Sequence, residues 1–304
     1  MQKTYQAEDI QVLEGLEPVR KRPGMYIGGT GKPGLHHLLW EVVDNAVDEA
    51  TNGYASQIEV VLHRDGKSIT VSDNGRGIPV GKHPVKKIPT LELILTTLHA
   101  GGKFDNRNYI TSGGLHGVGA SVVNALSEEL VATVKRDGKT YEQHYKRGVP
   151  VTKLKCISRN TRGSGTTIFF RPDPEIFETT AFDAQWISEQ LEVKAYLNGK
   201  LRIVFKDEAH QTRAEFHHEG GIAEYLAHLI KERTARPVHQ EAFVLRQDAL
   251  NDGSRVEVAL QWTELPREYF RSYVNGIPTR DGGTHEQGLK DAVRSAIRAY
   301  MDTH

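Results

Sequence analysis

The amino-acid sequence predicts an α+β protein: a two-layer α/β sandwich on a mixed, mostly antiparallel sheet, followed by a smaller, incomplete α+β domain. Three observations lead there. Helical and strand-like stretches alternate along the first part of the chain, and the turns Arg64-Asp65-Gly66-Lys67 and Arg136-Asp137-Gly138 join or punctuate its strands. The pattern restarts after about residue 215. With 304 residues the chain is long for one core, so two domains are expected, 1–218 and 219–304.

In chain order, residues 8–20 have the periodicity of a short helix (Ile10, Val12, Leu13, Leu16), stopped by Lys21-Arg22-Pro23-Gly24. A stronger amphipathic pattern predicts a helix over 35–50. Strands are expected over 57–63 and 68–72, then a helix over 90–98. A loop rich in Gly, Asn and Asp spans 101–114 and leads to a glycine-opened helix. Strands follow at 130–135, 140–146 and 166–170. The second domain is expected to hold a helix over 222–233, strands over 242–246, 255–261 and 269–274, and a helix over 284–300. His304 follows that helix directly, so the second domain reads as truncated.

Composition narrows the function. Basic and acidic residues number 39 each, so no net field marks the whole chain as a nucleic-acid binder. A single cysteine, Cys156, excludes an internal disulfide framework and a cysteine-based zinc site. The 14 histidines include the pairs His36-His37 and His217-His218, but none forms H-x-x-x-H or H-E-x-x-H. The opening MQKTYQAEDIQVL has no apolar signal core, and no stretch reaches membrane-spanning length. A soluble, cytoplasmic protein is expected.

The chemistry-bearing residues fall into four groups. Gly113, Gly114, Gly117 and Gly119 open directly into the apolar run Ala120, Val122, Val123, Ala125 and Leu126. A side-chain-poor loop feeding a helix start suits phosphate, through unpaired N–H groups and the helix dipole. Its order, G-x-x-G-x-G, matches neither the dinucleotide fingerprint nor a Walker pattern. On the 35–50 helix, Glu41, Asn45 and Asp48 share the polar face, flanked by Glu49. A carboxamide oxygen is a hard neutral ligand for magnesium; Glu41 one turn earlier can activate a water, and His37 can orient Glu41. Asp73-Asn74-Gly75-Arg76-Gly77-Ile78-Pro79 follows a strand: its carboxylate can accept from an exocyclic amine such as adenine's, while Gly77 lets a base lie flat. Lys103, on a glycine-flexed loop, can reach phosphate, and the Thr166 hydroxyl can reach the base or its water. Each alone reads equally as a solvated helix face, a β-turn, a loop lysine or a strand opener.

Their order is more telling. N-x-x-D-E-A at 45–50, D-x-G-x-G-I-P at 73–79, the glycine loop and Gly165-Thr166 together resemble the ATPase superfamily shared by gyrase, the ninety-kilodalton heat-shock chaperones, sensor histidine kinases and MutL proteins. The longer strings VLEGLEPVRKRPGMYIG at 12–28, LHAGGKF at 98–104, GGLHGVGASVVN at 113–124, YVNGIPT at 273–279 and GGTH at 282–285 resemble the ATPase components of bacterial type IIA topoisomerases, the gyrase B and topoisomerase IV class. The resemblance covers essentially the whole chain.

That resemblance implies ATP and Mg2+ as cofactors, Glu41 as the general base, Asn45 as the metal ligand and Asp73 as the adenine partner, helped by Gly77 and Thr166. Glu49, Ile78 and Pro79 join the ATP pocket. Gly113, Gly114, Leu115, His116, Gly117, Val118 and Gly119 form a lid over the phosphates, with Lys103 nearby. Tyr5 is implied to reach a partner's nucleotide and Tyr109 its own. Asp73, Arg76, Arg136 and Thr166 line an inhibitor pocket associated, at Arg136, with aminocoumarins. The implied partners are a DNA duplex, a DNA-cleaving subunit of the gyrase A type and a second copy of the chain on ATP binding. The second domain corresponds to a transducer. The class carries a Gln-Thr-Lys lysine that reaches the γ-phosphate, and no such tripeptide occurs here. Nor is an acidic metal region or a cleavage tyrosine module recognisable, so weak turnover and no DNA cleavage are expected of this polypeptide alone. The competing expectations are a nucleotide-regulated binding module with little turnover and, less compatible with a domain starting near Met1, a histidine-kinase-like phosphotransferase.

Overall fold

The computed structural model describes residues 12–102, 113–114, 117–248 and 254–304. The chain forms two units, one ending at Gly221 and one spanning Ile222–His304. Within the described part of the expected 8–20 helix, residues 12–20, only its end is helical, as α1 (Glu17–Lys21), and α2 (Gly24–Ile27) begins within the expected 21–24 stop. Pro18 sits in the first turn of α1 and Pro23 directly precedes α2, both places where a missing N–H is tolerated. The long α3 (Lys32–Thr51) starts earlier than its apolar pattern, because Pro33 occupies the first turn, where a missing N–H costs nothing.

The first unit continues through β1 (Gln57–Leu62), β2 (Ile69–Asp73), α4 (Thr90–Thr96), α5 (Gly119–Ala125), β3 (Ser127–Arg136), β4 (Lys139–Lys146), β5 (Val149–Pro150), β6 (Lys155–Ser158) and β7 (Gly165–Pro172). It closes with α6 (Ala184–Leu197), β8 (Arg202–Asp207) and β9 (Thr212–Phe216), a segment to which the sequence patterns assigned nothing. The overlooked signal is Asp183, whose side chain caps α6 by accepting from the Trp186 N–H at 3.1 Å. One sheet runs β5-β4-β3-β7-β2-β1-β8-β9, with β6 also on β4. All its pairings are antiparallel except β1 with β8. The expected mostly antiparallel two-layer sandwich is therefore the observed one.

Register explains the core. Phe205, Val60, Val71, Ile168 and Ala132 lie side by side across five strands, and Leu62, Ile69, Phe170, Leu130 and Tyr145 form the next row. All ten are buried. Leu35, Leu38, Leu39, Val42, Val43, Ala46 and Val47 of α3 close over this core, each large side chain contributing about 1.5–3 kcal/mol. Residues between these rows are half-buried, as expected for a sheet covered on one face.

In the second unit, α7 (Gly221–Glu232) is followed by the hairpin β10 (Phe243–Gln247) and β11 (Val256–Leu260), by the pair β12 (Tyr273–Val274) and β13 (Ile277–Pro278), and by α8 (Thr284–Thr303). The strand expected over 269–274 contracts to β12, because Asn275 and Gly276, both at positive φ, turn the chain back at once. Here only Tyr225 and Leu229 are buried hydrophobics among the described residues.

Candidate functional site: a half-buried strand-end aspartate facing the polar side of α3

Sheet register places the first functional side chain. Asp73, the last residue of β2, pairs with Ile58 and occupies the same inward-facing set as Ile69 and Val71. A carboxylate thus stands where the core pattern would put an aliphatic side chain. Burial pushes its pKa up to about 6, against the N–H groups of Gly75 and Thr166, while the charge of Glu49 pushes the same way. Both N–H groups donate to Oδ1, at 2.8 and 3.3 Å. Among the described residues Oδ2 receives no hydrogen bond, which suits it to an N–H of a ligand.

The turn after Asp73 is tied down on three sides. The Ile78 N–H donates to Thr166 Oγ1 at 3.2 Å, and Arg136 Nη1 donates to the Gly77 carbonyl at 2.7 Å. Gly77 has φ +75°, and a Cβ there would stand 2.7 Å from the Lys135 carbonyl oxygen and 3.1 Å from that of Gly165. Close approach to β3 and β7 therefore accounts for this glycine without any appeal to a base lying on it. Ile78 is half-buried and Pro79 exposed. Glu49, from the last turns of α3, accepts from Arg76 Nη2 at 2.7 Å, from its Nε at 3.1 Å and from its backbone N–H at 3.0 Å. The Arg76 guanidinium also lies 3.6 Å over the Tyr54 ring. With three donors from one residue, Glu49 holds the turn in place more than it faces a ligand.

The polar side of α3 supplies the other half. Glu41 Oε1 lies 3.0 Å from His37 Nε2, one turn away. That hydrogen bond holds the His37 pKa above its ordinary value, against burial, with the Glu41 and Asp44 charges adding to it. Asn45 Nδ2 donates to the Glu41 carbonyl at 2.7 Å, so the amide is oriented by its own helix and its oxygen is the metal-competent end. Asp48, buried, accepts from the Gly113 N–H at 2.8 Å and so anchors the start of the glycine run. Sequence reasoning placed Asp48 on this face without a role; its spacing from Asn45 was the available signal.

Adjacent residues behave oppositely. His36 points into the core, edge-on to Trp186 at 4.6 Å, and burial lowers its pKa. Its Nε2 accepts from the Asp183 N–H at 3.0 Å, so Nδ1 carries the proton and donates to the Lys32 carbonyl at 2.8 Å. Asp44, half-buried on α3, is hydrogen-bonded to Lys194 of α6; burial raises its pKa and the lysine opposes the rise. The VRKRPG segment proves structural. Arg20 donates to the Ala125 carbonyl and to the buried Asp173, both at 2.8 Å, closing the end of α5 from far away in sequence.

Tyr5, Lys103, Tyr109, Leu115 and His116 lie outside the described residues. Among the described residues no group of three His, Cys, Asp or Glu side chains is placed to hold a metal ion. The Asn45 amide oxygen would offer magnesium one neutral hard ligand.

Comparison with known proteins decides the family. The family described as "Histidine kinase-, DNA gyrase B-, and HSP90-like ATPase" matches residues 30–176, and the family "DNA gyrase B" matches 221–304. The 43K ATPase domain of Thermus thermophilus gyrase B, solved in complex with an aminocoumarin, is similar with a TM-score of 0.82 and 42% identity, covering 95% of this chain and 73% of that one. The chain belongs to the DNA gyrase B family. The topoisomerase IV ATP binding domain of Francisella tularensis, in complex with a small molecule inhibitor, is also similar (TM-score 0.79, 38% identity, 96% of this chain and 76% of that one). The DNA gyrase B protein of Halalkalibacterium halodurans is 48% identical over 100% of this chain and 47% of its own length. That of Archaeoglobus fulgidus is 48% identical over 99% and 47%. The chain thus spans less than half the length of these gyrase B relatives. Within the gyrase B frame, Asp73, Glu41 and Asn45 all lie in the stretch matched to the ATPase family. No helix among the described residues is long and apolar enough to cross a membrane.

Proposed function

We propose that the chain is the ATP-binding and ATP-hydrolysing portion of a type II DNA topoisomerase. The observation that carries this reading is a half-buried Asp73 whose Oδ2 receives no protein donor among the described residues, combined with a His37–Glu41–Asn45 series on α3 in a chain of the gyrase B family. Asp73 accepts the adenine amine through Oδ2, and Thr166 assists through its hydroxyl. Glu41 takes a proton from the water that attacks the γ-phosphate, and His37 holds the carboxylate in place. Magnesium, where bound, neutralises phosphate charge, and Asn45 is the residue suited to hold it. Phosphoryl transfer needs positioning and charge neutralisation more than covalent chemistry, and this set supplies both.

Gly113–Gly119 close over the phosphates with Lys103 and Tyr109, while Tyr5 reaches the nucleotide of a partner copy. ATP then drives dimerisation and closes a gate on a DNA duplex, in a cytoplasmic complex with a DNA-cleaving subunit. The region 219–304 serves as part of the transducer. Asp73, Arg76, Arg136 and Thr166 form an aminocoumarin-accessible mouth. The test is ATP turnover of wild type beside Glu41→Ala. Loss of turnover with ATP affinity retained supports the base; equal rates remove it.

A further inference from the structure

We infer that Gly119 is a positioning residue for Glu41, because the space its side chain would fill is taken by the Glu41 carboxylate. Gly119 is the first residue of α5, and its φ is not positive, so the backbone there accepts any L residue. Glycine is a poor choice in a helix compared with alanine, because it loses more conformational freedom on folding. The neighbouring side chain supplies the reason for it. A Cβ at 119 would stand 1.9 Å from Glu41 Oε2, 2.9 Å from its Cδ and 3.3 Å from its Cβ. Oε1 is hydrogen-bonded to His37 at 3.0 Å, and Oε2 fills the space that a Cβ at 119 would need, so a side chain there must push the carboxylate off this position.

This contact ties α3 to the element that directly follows the glycine run. The position of Glu41 is set by the stem of that run as well as by its own helix. The inference rests on the proposed base role of Glu41 for its consequence, but not for its geometry.

Two measurements on the full chain separate these. In a melting cycle, Gly119→Ala lowers Tm, and adding Glu41→Ala restores Tm to at least the value of Glu41→Ala alone. Gly119→Asp, a larger and charged intruder, lowers Tm further and is relieved less. A Gly119→Ala variant that melts like wild type overturns the inference. So does one whose loss is unchanged in the Glu41→Ala background. In the second measurement, kcat of Gly119→Ala at saturating ATP falls at least about tenfold, a larger factor than any change in its affinity for a non-hydrolysable ATP analogue. Glu41→Asp, one methylene shorter, recovers part of that kcat when paired with Gly119→Ala. A closed melting cycle with unchanged kcat in Gly119→Ala overturns the positioning role. If Glu41→Ala itself turns over normally, the base reading fails while the steric contact stands.

Discussion

The Asp73 end and the Glu41 end of the site are built by different means. At the Asp73 end backbone groups and long-range side-chain contacts together fix the turn. A strand terminus, two N–H donors on one oxygen, the Glu49–Arg76 clamp and the Arg136 contact to Gly77 leave the turn little freedom. At the Glu41 end the functional side chains stand on one helix face, half-exposed, and contact each other or the stem of the glycine run. The difference suits recognition of a flat, invariant base at one end and of phosphates, whose charge changes during reaction, at the other. A rigid, desolvated acceptor discriminates; a partly solvated carboxylate can exchange protons.

The largest expected effect tests the second half of that contrast. Glu41→Ala should reduce ATP turnover by about 10²–10⁴-fold, the usual weight of a general base, with ATP affinity nearly unchanged. Comparable turnover in the two proteins would leave the Glu41 end without a chemical role. Asp73→Ala should do the reverse and weaken ATP binding by about 10–100-fold, as loss of one hydrogen bond to a charged group. Calorimetric titration with ATP measures it, and an affinity equal to wild type would take the adenine contact away from Asp73.

Asp73→Asn sharpens the comparison through stability. The folded carboxyl titrates near 6, above the roughly 3.9 of an unfolded chain. The folded state therefore binds more protons between these values, and this residue's contribution falls as pH rises from about 4 through 6. Removing the charge should stabilise the protein by about 1–3 kcal/mol at pH 7.5 and by almost nothing at pH 4, while still lowering ATP affinity. Urea unfolding at the two pH values checks the sign; a destabilised variant at pH 7.5 would show that the carboxylate is not buried at a cost.

The smallest effect belongs to His37. Its pKa is raised, so its charged pairing with Glu41 is fully present below about 6.5 and is lost as pH rises through the folded value. Turnover should rise with pH across that titration, because the neutral ring still holds the carboxylate by its hydrogen bond but no longer weakens it as a base, and His37→Gln should flatten this limb while lowering the rate only about twofold to tenfold. A pH–rate profile identical to wild type would detach His37 from the base.

The local parts of this site were readable in one dimension. The face of α3 that carries Glu41 and Asn45 follows from helical periodicity, and the strand-to-turn placement of Asp73 follows from a glycine-rich turn behind an alternating run. The 20-residue α3 itself was expected with nearly its observed length. What could not be read were partners distant in sequence. Arg20 finds Asp173 153 positions away, and Gly119 meets Glu41 only once α5 has docked. Helix α6 escaped because its apolar pattern is weak and its N-cap signal is a single residue, Asp183, whereas the apolar run Ile203, Val204 and Phe205 of β8 was a readable strand signal left unused. The 8–20 periodicity overreached in its described part because Pro18 favours a helix start, so α1 begins only at Glu17.

Sequence alone determined which side chains share a face, where the chain turns and which family the longer strings resemble, since these depend on spacing along a single element. Only tertiary structure decided what each of those side chains meets. Sheet register turned Asp73 inward and gave it a desolvated, upshifted carboxyl, and the same packing set Glu49 against Arg76. The docking of α5 made Gly119 a matter of room for Glu41. Periodicity is a property of one element, whereas burial and steric contact exist only between elements, and the chemistry proposed here depends on the second kind of fact.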